Sequence, residues 1–263
     1  MNEIIYTIII SLAGIFVGSF LNTVVFRTQA NIPIQNRSKC MKCMKPIHWI
    51  DKIPIISFFN LQGRCRNCSS VISWQYPVIE MLTGIIFGLL YIRAISGIGF
   101  SLFEQSSEWL IIFIRDVLIA CLLLVIFVYD YKYSVIMDRF SVTAIIIAFV
   151  ANIYLGEDIM WMLLSGLMIG AFFAFQFLIS KGKWIGSGDI RMGILIGVLL
   201  GLKLGILALL LSYIIGAISG IILIAFKHRS AQSHVPFGTF IAISIIFTLF
   251  FGNQIADWYI GLI

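Results

Sequence analysis

Two aspartates and four cysteines carry most of the chemistry open to this sequence. Asp189 closes the stretch Gly186-Ser187-Gly188-Asp189, where a short basic loop (Lys181, Lys183) runs back into apolar sequence, and Asp130 ends another apolar run. A carboxylate at a membrane edge is costly to keep, so an ionisable residue there is a functional candidate by default. The two glycines carry no Cβ and let the backbone turn tightly and approach a partner closely. A flexible loop with one interfacial acid is the plainer reading of the same four residues. If the helices bearing Asp130 and Asp189 are neighbours, the two carboxylates share one site. Like charges a few ångströms apart cannot both ionise comfortably, so one keeps a proton and the other is a base. Such a pair can activate water for attack on a peptide carbonyl and then protonate the leaving amine. Metal binding by the pair gains nothing from His228 and His234, which offer no recognisable ligand spacing.

Other acids compete. Asp138 follows Asp130 in the same polar link. Its plain reading is an interfacial carboxylate beside Arg139 or a helix cap. Arg115-Asp116 reads as an adjacent interfacial pair at the opposite face. Glu80 lies just inside the second apolar run, where snorkelling to the interface and lining an active cleft are both open.

Cys40, Cys43, Cys65 and Cys68 form C-x2-C-x21-C-x2-C. Two close thiol pairs separated by a loop are the usual framework of a tetrahedral zinc site with four thiolate ligands. Two disulfides or a redox pair are the alternatives; disulfides are disfavoured in a cytoplasmic compartment. Four thiolates close the coordination shell, so the metal would be structural and would supply much of the segment's folding energy. Cys121, in the middle of an apolar run, reads as a packing residue.

The elements that must position these groups follow from hydropathy. Of 263 residues, 60% are hydrophobic and 11% charged, against about 25% charged in soluble domains. The chain therefore reads as an all-α polytopic membrane protein. Its net charge of +6 reports basic loops near anionic lipid rather than nucleic-acid binding. No cleavable signal peptide is expected, because the first apolar run lacks a basic segment before it and is followed by Arg27. Apolar runs at 4–26, 76–92, 109–129, 140–155, 159–179, 192–201, 205–226 and 239–256 predict about eight transmembrane helices. The break within 201–205 divides a stretch too long for one crossing, and the first of its two spans is short.

Residues 27–75 are polar, hold four of the five cysteines and form a small zinc-ribbon-like domain between the first two spans. The expected division is a first helix at 1–26, the four-cysteine domain at 27–75 and a transmembrane catalytic domain at 76–263. The links at 27–75, 130–139, 180–191 and 227–238 hold every Lys and Arg except Arg93, Arg115 and Lys203. The opposite side collects Glu3, Glu104, Glu108, Asp116, Glu157, Asp158 and Asp257. The positive-inside rule then puts both termini outside and the cysteine domain, Asp130 and Asp189 on the cytoplasmic face.

These residues together resemble the type IV prepilin peptidases, bifunctional leader peptidases and N-methyltransferases of the GxGD aspartyl protease superfamily. Asp130 with Gly186-Ser187-Gly188-Asp189 is similar to the family's aspartyl pair. In order along nearly the whole chain, Gly18-Ser19-Phe20-Leu21-Asn22 with Arg27 looks like the end of its first helix. Arg37-Ser38, the first cysteine pair, Asp51, Ile53-Pro54, Ser57, Gly63-Arg64-Cys65-Arg66-Asn67-Cys68 and Tyr76-Pro77 with Glu80 resemble its zinc-bearing domain. Pro236-Phe237-Gly238 resembles the turn before its last helix. There are departures: Met41 and Met137 stand where the family often has proline, Arg191 replaces a common lysine, and Thr239 replaces a proline.

The resemblance implies cleavage of the short basic leader from type IV prepilin or pseudopilin precursors on the cytoplasmic side of a bacterial membrane. It also implies methylation of the new N-terminus with S-adenosylmethionine. The partners would be pilin N-terminal segments and membrane lipid, with no nucleic acid. It implies Asp130 and Asp189 as catalytic pair, with Gly186 and Gly188 shaping the turn that presents Asp189. Gly63, Asp51 and Glu80 become methyltransferase candidates, although no glycine-rich strand-to-helix turn of soluble methyltransferases is visible. A peptidase lacking the transferase would lack the cysteine domain. A transporter with a zinc regulatory domain would carry polar residues deep in several helices, whereas the strong acids here sit at helix ends.

Overall fold

The computed structural model describes residues 2–33, 38–40, 42–96, 108–227 and 236–261. Arg37, Met41, Glu104, His228 and His234, which enter the sequence reading, lie outside them. The regular structure among the described residues is helical: α1 (Asn2–Gln29), α2 (Ile56–Asn60), α3 (Gln75–Ser96), α4 (Trp109–Tyr133), α5 (Asp138–Tyr154), α6 (Ile159–Ser180), α7 (Ser187–Lys227) and α8 (Phe237–Ile260). Six of them, α1, α3, α4, α6, α7 and α8, are long and apolar enough to cross a membrane, and α5 falls just short at 17 residues. The fold is the expected polytopic helical one, with the cysteine segment between the first two long helices.

The chain packs as two compact units, Met1–Ile92 and Arg93–Ile263. In the first, α1 and α3 run antiparallel through reciprocal small-xxx-small faces. A Cβ on Gly14 or Gly18 would meet Thr83, Glu80 or Phe87 within 3.0 Å, and one on Gly84 or Gly88 would meet Ile15 or Ser11. Close backbone approach of this kind is how apolar helices associate where lipid removes the hydrophobic drive. At one end of this pair the Asn22 amide donates to the Tyr76 carbonyl (3.3 Å) and Gln75 donates to Asn22 Oδ1 (3.0 Å).

In the second unit α7 packs against α5, α6 and α8, and α4 against α5 and α8, over a core that includes Ile119, Leu123, Phe173, Met192, Leu195, Ile196, Ile241 and Ile245. The break expected near Gly201 is real: Gly201 has φ 68° and ψ −173° inside α7. A Cβ on Gly193 would lie 2.5 Å from the Phe173 ring, and the same ring stacks on Tyr213 with centroids 6.5 Å apart. A straight helix would separate residues twenty apart by about 30 Å, so α7 doubles back at Gly201 into a helical hairpin. A β-carbon would strain that left-handed φ.

Arg115 and Asp116 are not the interfacial pair expected. Both are buried: Asp116 takes Arg93 at 2.6 Å and Arg115 at 2.8 Å, and Arg115 donates to Asn152 Oδ1 at 2.6 Å. Asn152 in turn donates to the Val198 carbonyl (2.8 Å) near the α7 reversal, so this network ties α4, α5 and α7. Burial is tolerated because every charge has an opposite charge or a hydrogen-bond partner.

Candidate active site and metal centre

Asp189 sits inside a helix, not in the link before it. α7 begins at Ser187, which makes Asp189 its third residue. Its Oδ2 accepts a hydrogen bond from the Gly186 N–H at 2.8 Å. This is half of a capping box, in which a carboxylate at the third helical position reaches back to the residue before the helix. Neither glycine of the motif has a left-handed φ; in this loop those belong to Lys181 (φ 51°) and Gly182 (φ 74°). Gly188 is needed for space instead, since a Cβ there would lie 2.6 Å from Ile136 Cβ.

Asp130 lies in the last turn of α4, which runs four residues past the expected end before Ser134 (φ 53°) closes it by donating to the Asp130 carbonyl at 2.7 Å. Its Oδ2 accepts from the Thr239 N–H at 2.9 Å. Thr239 is in the first turn of α8, so the Asp130 carboxylate caps that helix from another element and sits at the positive end of its dipole. A proline at 239 would lack this donor. A Cβ on Gly238 would fall 2.8 Å from Asp130 Oδ2 and 2.5 Å from Ile136 Cδ1. Ile136 is thus a wedge between Gly188 and Gly238 that draws the α4–α5 link, α7 and α8 together.

Both aspartates line one cavity of about 380 Å³, with Ser134, Ile136, Trp184, Pro236 and Phe237 on its walls. Asp130 and Asp189 are 4% and 5% exposed, and Asp189 Oδ1 is buried with no hydrogen-bond partner. Each carboxylate therefore has one oxygen fixed by a backbone N–H, and Asp189 has a second one free for a ligand. The Asp138 side chain is 73% exposed and pairs with Arg191; it is absent from the cavity wall. A larger cavity of about 450 Å³ at the α7 reversal is lined by Arg115, Asp158, Lys203 and Asp257. Those four groups are engaged, with Asp116, the α6 N-terminus and each other, and Glu157 also lines that cavity; of the two cavities, the smaller is the one whose wall carries two buried carboxylates.

In the first unit the cysteines form two copies of one turn. Cys40 N–H donates to the Lys45 carbonyl (2.9 Å) and Cys65 N–H to that of Ser70 (2.8 Å), while Met44 and Ser69 donate back to Cys40 and Cys65 (2.9 Å each). Met44 and Ser69 share a left-handed φ. The four Sγ atoms lie within 4.8 Å of one another, with Cys40 and Cys68 at 3.7 Å. Tetrahedral zinc with bonds of about 2.3 Å requires sulfurs about 3.8 Å apart, whereas a disulfide needs about 2.05 Å. The group fits a metal ion. The Cys43 and then the Lys42 backbone N–H aim at Cys40 and lower its thiol to about 6, and Ser70 lowers Cys68, whereas burial and the neighbouring Cys40 and Cys68 thiols push Cys43 up to about 11; the thiolate is thus favoured at Cys40 and Cys68.

The remaining candidates each have a local partner. Asp51 accepts Arg66 Nε at 2.9 Å and Nη2 at 2.6 Å. Gly63 (φ 65°) packs under the Phe58 ring. Glu80 neither snorkels nor lies open: it is buried and accepts the Ile55 N–H at 2.7 Å. That N–H belongs to a γ-turn in which Ile56 N–H donates to the Pro54 carbonyl at 2.5 Å and Ile55 has φ 62° and ψ −57°, a strained conformation for a β-branched residue. Ile136, Gly238 and Thr239 carry no sequence signal for their place at Asp130, because the hydrogen bond joins residues 109 apart in the chain.

Residues 12–94 match the family model of the bacterial peptidase A24 N-terminal domain, and residues 117–221 that of the type IV leader peptidase family. A prepilin leader peptidase/N-methyltransferase of Aeromonas salmonicida is 25% identical over 292 residues, covering 98% of this chain and 95% of the relative. Its counterpart in Bacillus subtilis is 28% identical, covering 96% and 97%, and that of Vibrio cholerae 29%, covering 72% and 76%. No solved structure matches the chain.

Proposed function

The chain belongs to the type IV leader peptidase family, and we propose that it is a membrane aspartyl endopeptidase whose catalytic pair is Asp130 and Asp189. The enzyme cleaves leaders from type IV prepilin-like precursors and methylates the new N-terminal residue. The observation that carries the choice of residues is the cavity shared by the two buried aspartates. One carboxylate takes a proton from water as its oxygen attacks the scissile carbonyl carbon; the other gives a proton to the departing amine nitrogen. The two protonation states belong to the pair, so acid and base are not divided between its members. Asp189 Oδ1, without a partner, is free to meet the water. Gly186 and Gly188 support this arrangement, the first by its N–H and the second by the room it leaves for Ile136.

The basic links support a cytoplasmic position, at the bacterial inner membrane, for the cavity and the four-cysteine segment, with both termini outside. A basic leader is drawn to the carboxylates there while the apolar pilin helix stays in lipid. Zinc in the centre of Cys40, Cys43, Cys65 and Cys68 is structural, since four thiolates leave no open position. We assign this metal-binding role to 27–75 and the peptidase to 76–263. S-adenosylmethionine is the methyl donor, but Asp51, Gly63 and Glu80 do not fit as its direct ligands: both carboxylates are engaged and Gly63 faces a ring. They act as positioning residues: Asp51 holds Arg66, Glu80 holds the turn at Ile55, and Gly63 makes room for Phe58.

Incubating the purified full chain in detergent with a prepilin-like peptide tests the pair. Asp130→Asn and Asp189→Asn each lower cleavage by about 10²–10⁴-fold, while Asp138→Asn retains it. Loss at Asp138 with retention at Asp130 would overturn the assignment, as would unchanged cleavage in all three. Labelled S-adenosylmethionine in the same reaction reads the methyl transfer separately.

A further inference from the structure

The four-cysteine segment carries an apolar patch that the described protein leaves uncovered. Ile56 and Phe59, three residues apart on one side of α2, are 58% and 56% exposed, and Trp74 is 64% exposed. Phe58 turns the other way: it is buried, packs on the Trp74 ring at 4.8 Å and covers Gly63. The Phe59 and Trp74 rings are 6.2 Å apart, so the exposed side is one surface. Folding buries Phe58 and leaves Phe59 out.

What covers this surface follows from its continuation. Trp74 directly precedes α3, whose membrane-crossing stretch opens at Gln75. Val78, Met81, Ile85 and Leu89, spaced three or four apart along α3, are exposed large apolar residues, the stripe a spanning helix turns to lipid. Trp74 stands four residues before Val78 and extends that stripe past the end of the helix, where it meets Phe59, which shares one side of α2 with Ile56. Tryptophan at the point where a helix enters the bilayer is a headgroup-level anchor. Lys52 and Arg64, exposed near the patch in sequence, complement anionic headgroups. We propose that Ile56, Phe59 and Trp74 form a wedge inserted into the lipid interface that α3 enters, seating the four-cysteine segment on the membrane surface with phospholipid as its partner.

The test uses the full chain in vesicles of phosphatidylethanolamine and phosphatidylglycerol, with the photoreactive p-benzoylphenylalanine at Phe59, at Val78 as a lipid-facing reference, or at exposed Asn67. Lipid adducts are expected at 59 comparable to those at 78 and on the order of tenfold above those at 67. As a second measurement, brominated lipid quenches tryptophan fluorescence of the unsubstituted chain more than that of Trp74→Phe. Adducts from 59 to a second copy of the chain or to an added prepilin-like peptide, or none at 59 while 78 labels, would overturn the proposal. Failure of 78 to label would remove its premise, and equal quenching of the two chains would also refute it.

Discussion

Gly188→Ala tests most directly how the site is assembled. The added Cβ would meet Ile136 Cβ at 2.6 Å, about 1 Å inside ordinary carbon–carbon contact. A Cβ cannot rotate away, so either the α4–α5 link or the first turn of α7 must give. Overpacking of this kind costs about 1–3 kcal/mol, which a folded membrane domain can survive. Asp189 is the next residue, and misplacement of a reacting group by about 1 Å can cost about 10²-fold in rate. Gly188→Ala is therefore expected to elute and melt as a folded protein while its kcat for cleavage falls by about 10²-fold and KM changes little. Gly220→Ala is the control: it lies in the same helix, and a Cβ there meets nothing within 4 Å, so cleavage should be unchanged. Single-turnover cleavage of a prepilin-like peptide in detergent measures both. Wild-type turnover in Gly188→Ala would refute the wedge, as would equal loss in the two variants.

Two other perturbations probe the frame. Asp116→Ala leaves the buried Arg93 and Arg115 without their shared counter-charge; removing one partner of a buried ion pair costs about 3–5 kcal/mol, so the melting temperature in detergent should drop sharply, and an unchanged melt would contradict the network. Metal analysis should find about one zinc per chain, lost in Cys40→Ser; stripping it should raise amide exchange across 38–72 while α4 to α8 stay protected, because the thiolate centre holds its own unit.

The membrane character, the long helices, the break at Gly201 and the four-cysteine framework were all legible in the sequence. Each rests on local information: apolar run length, glycine, and thiol spacing. Charge asymmetry along the same chain also set Asp130 and Asp189 on one face. The roles of single residues were less legible wherever a partner lies far along the chain. Arg115-Asp116 reads as an interfacial pair from its two letters, and only Arg93 and Asn152, brought in from other helices, make its burial affordable.

At the aspartates the division is sharpest. Residue type and helix-end position alone mark Asp130, Asp138 and Asp189 as candidates, since a carboxylate near lipid is costly wherever it falls. The resemblance already pairs Asp130 with Asp189; what tertiary structure adds is their surroundings: Asp138 is turned outward to Arg191, while Asp130 reaches the N-terminus of α8 and Asp189 faces the same cavity. Gly188 shows the same limit. Its lack of a side chain suggests a turn, but its φ is not left-handed, and the space it leaves is filled by Ile136 from a link that precedes it by two helices. Composition and spacing report what each segment does with solvent and lipid; which atoms meet across segments depends on packing, and packing brings Asp130 and Asp189 to one cavity.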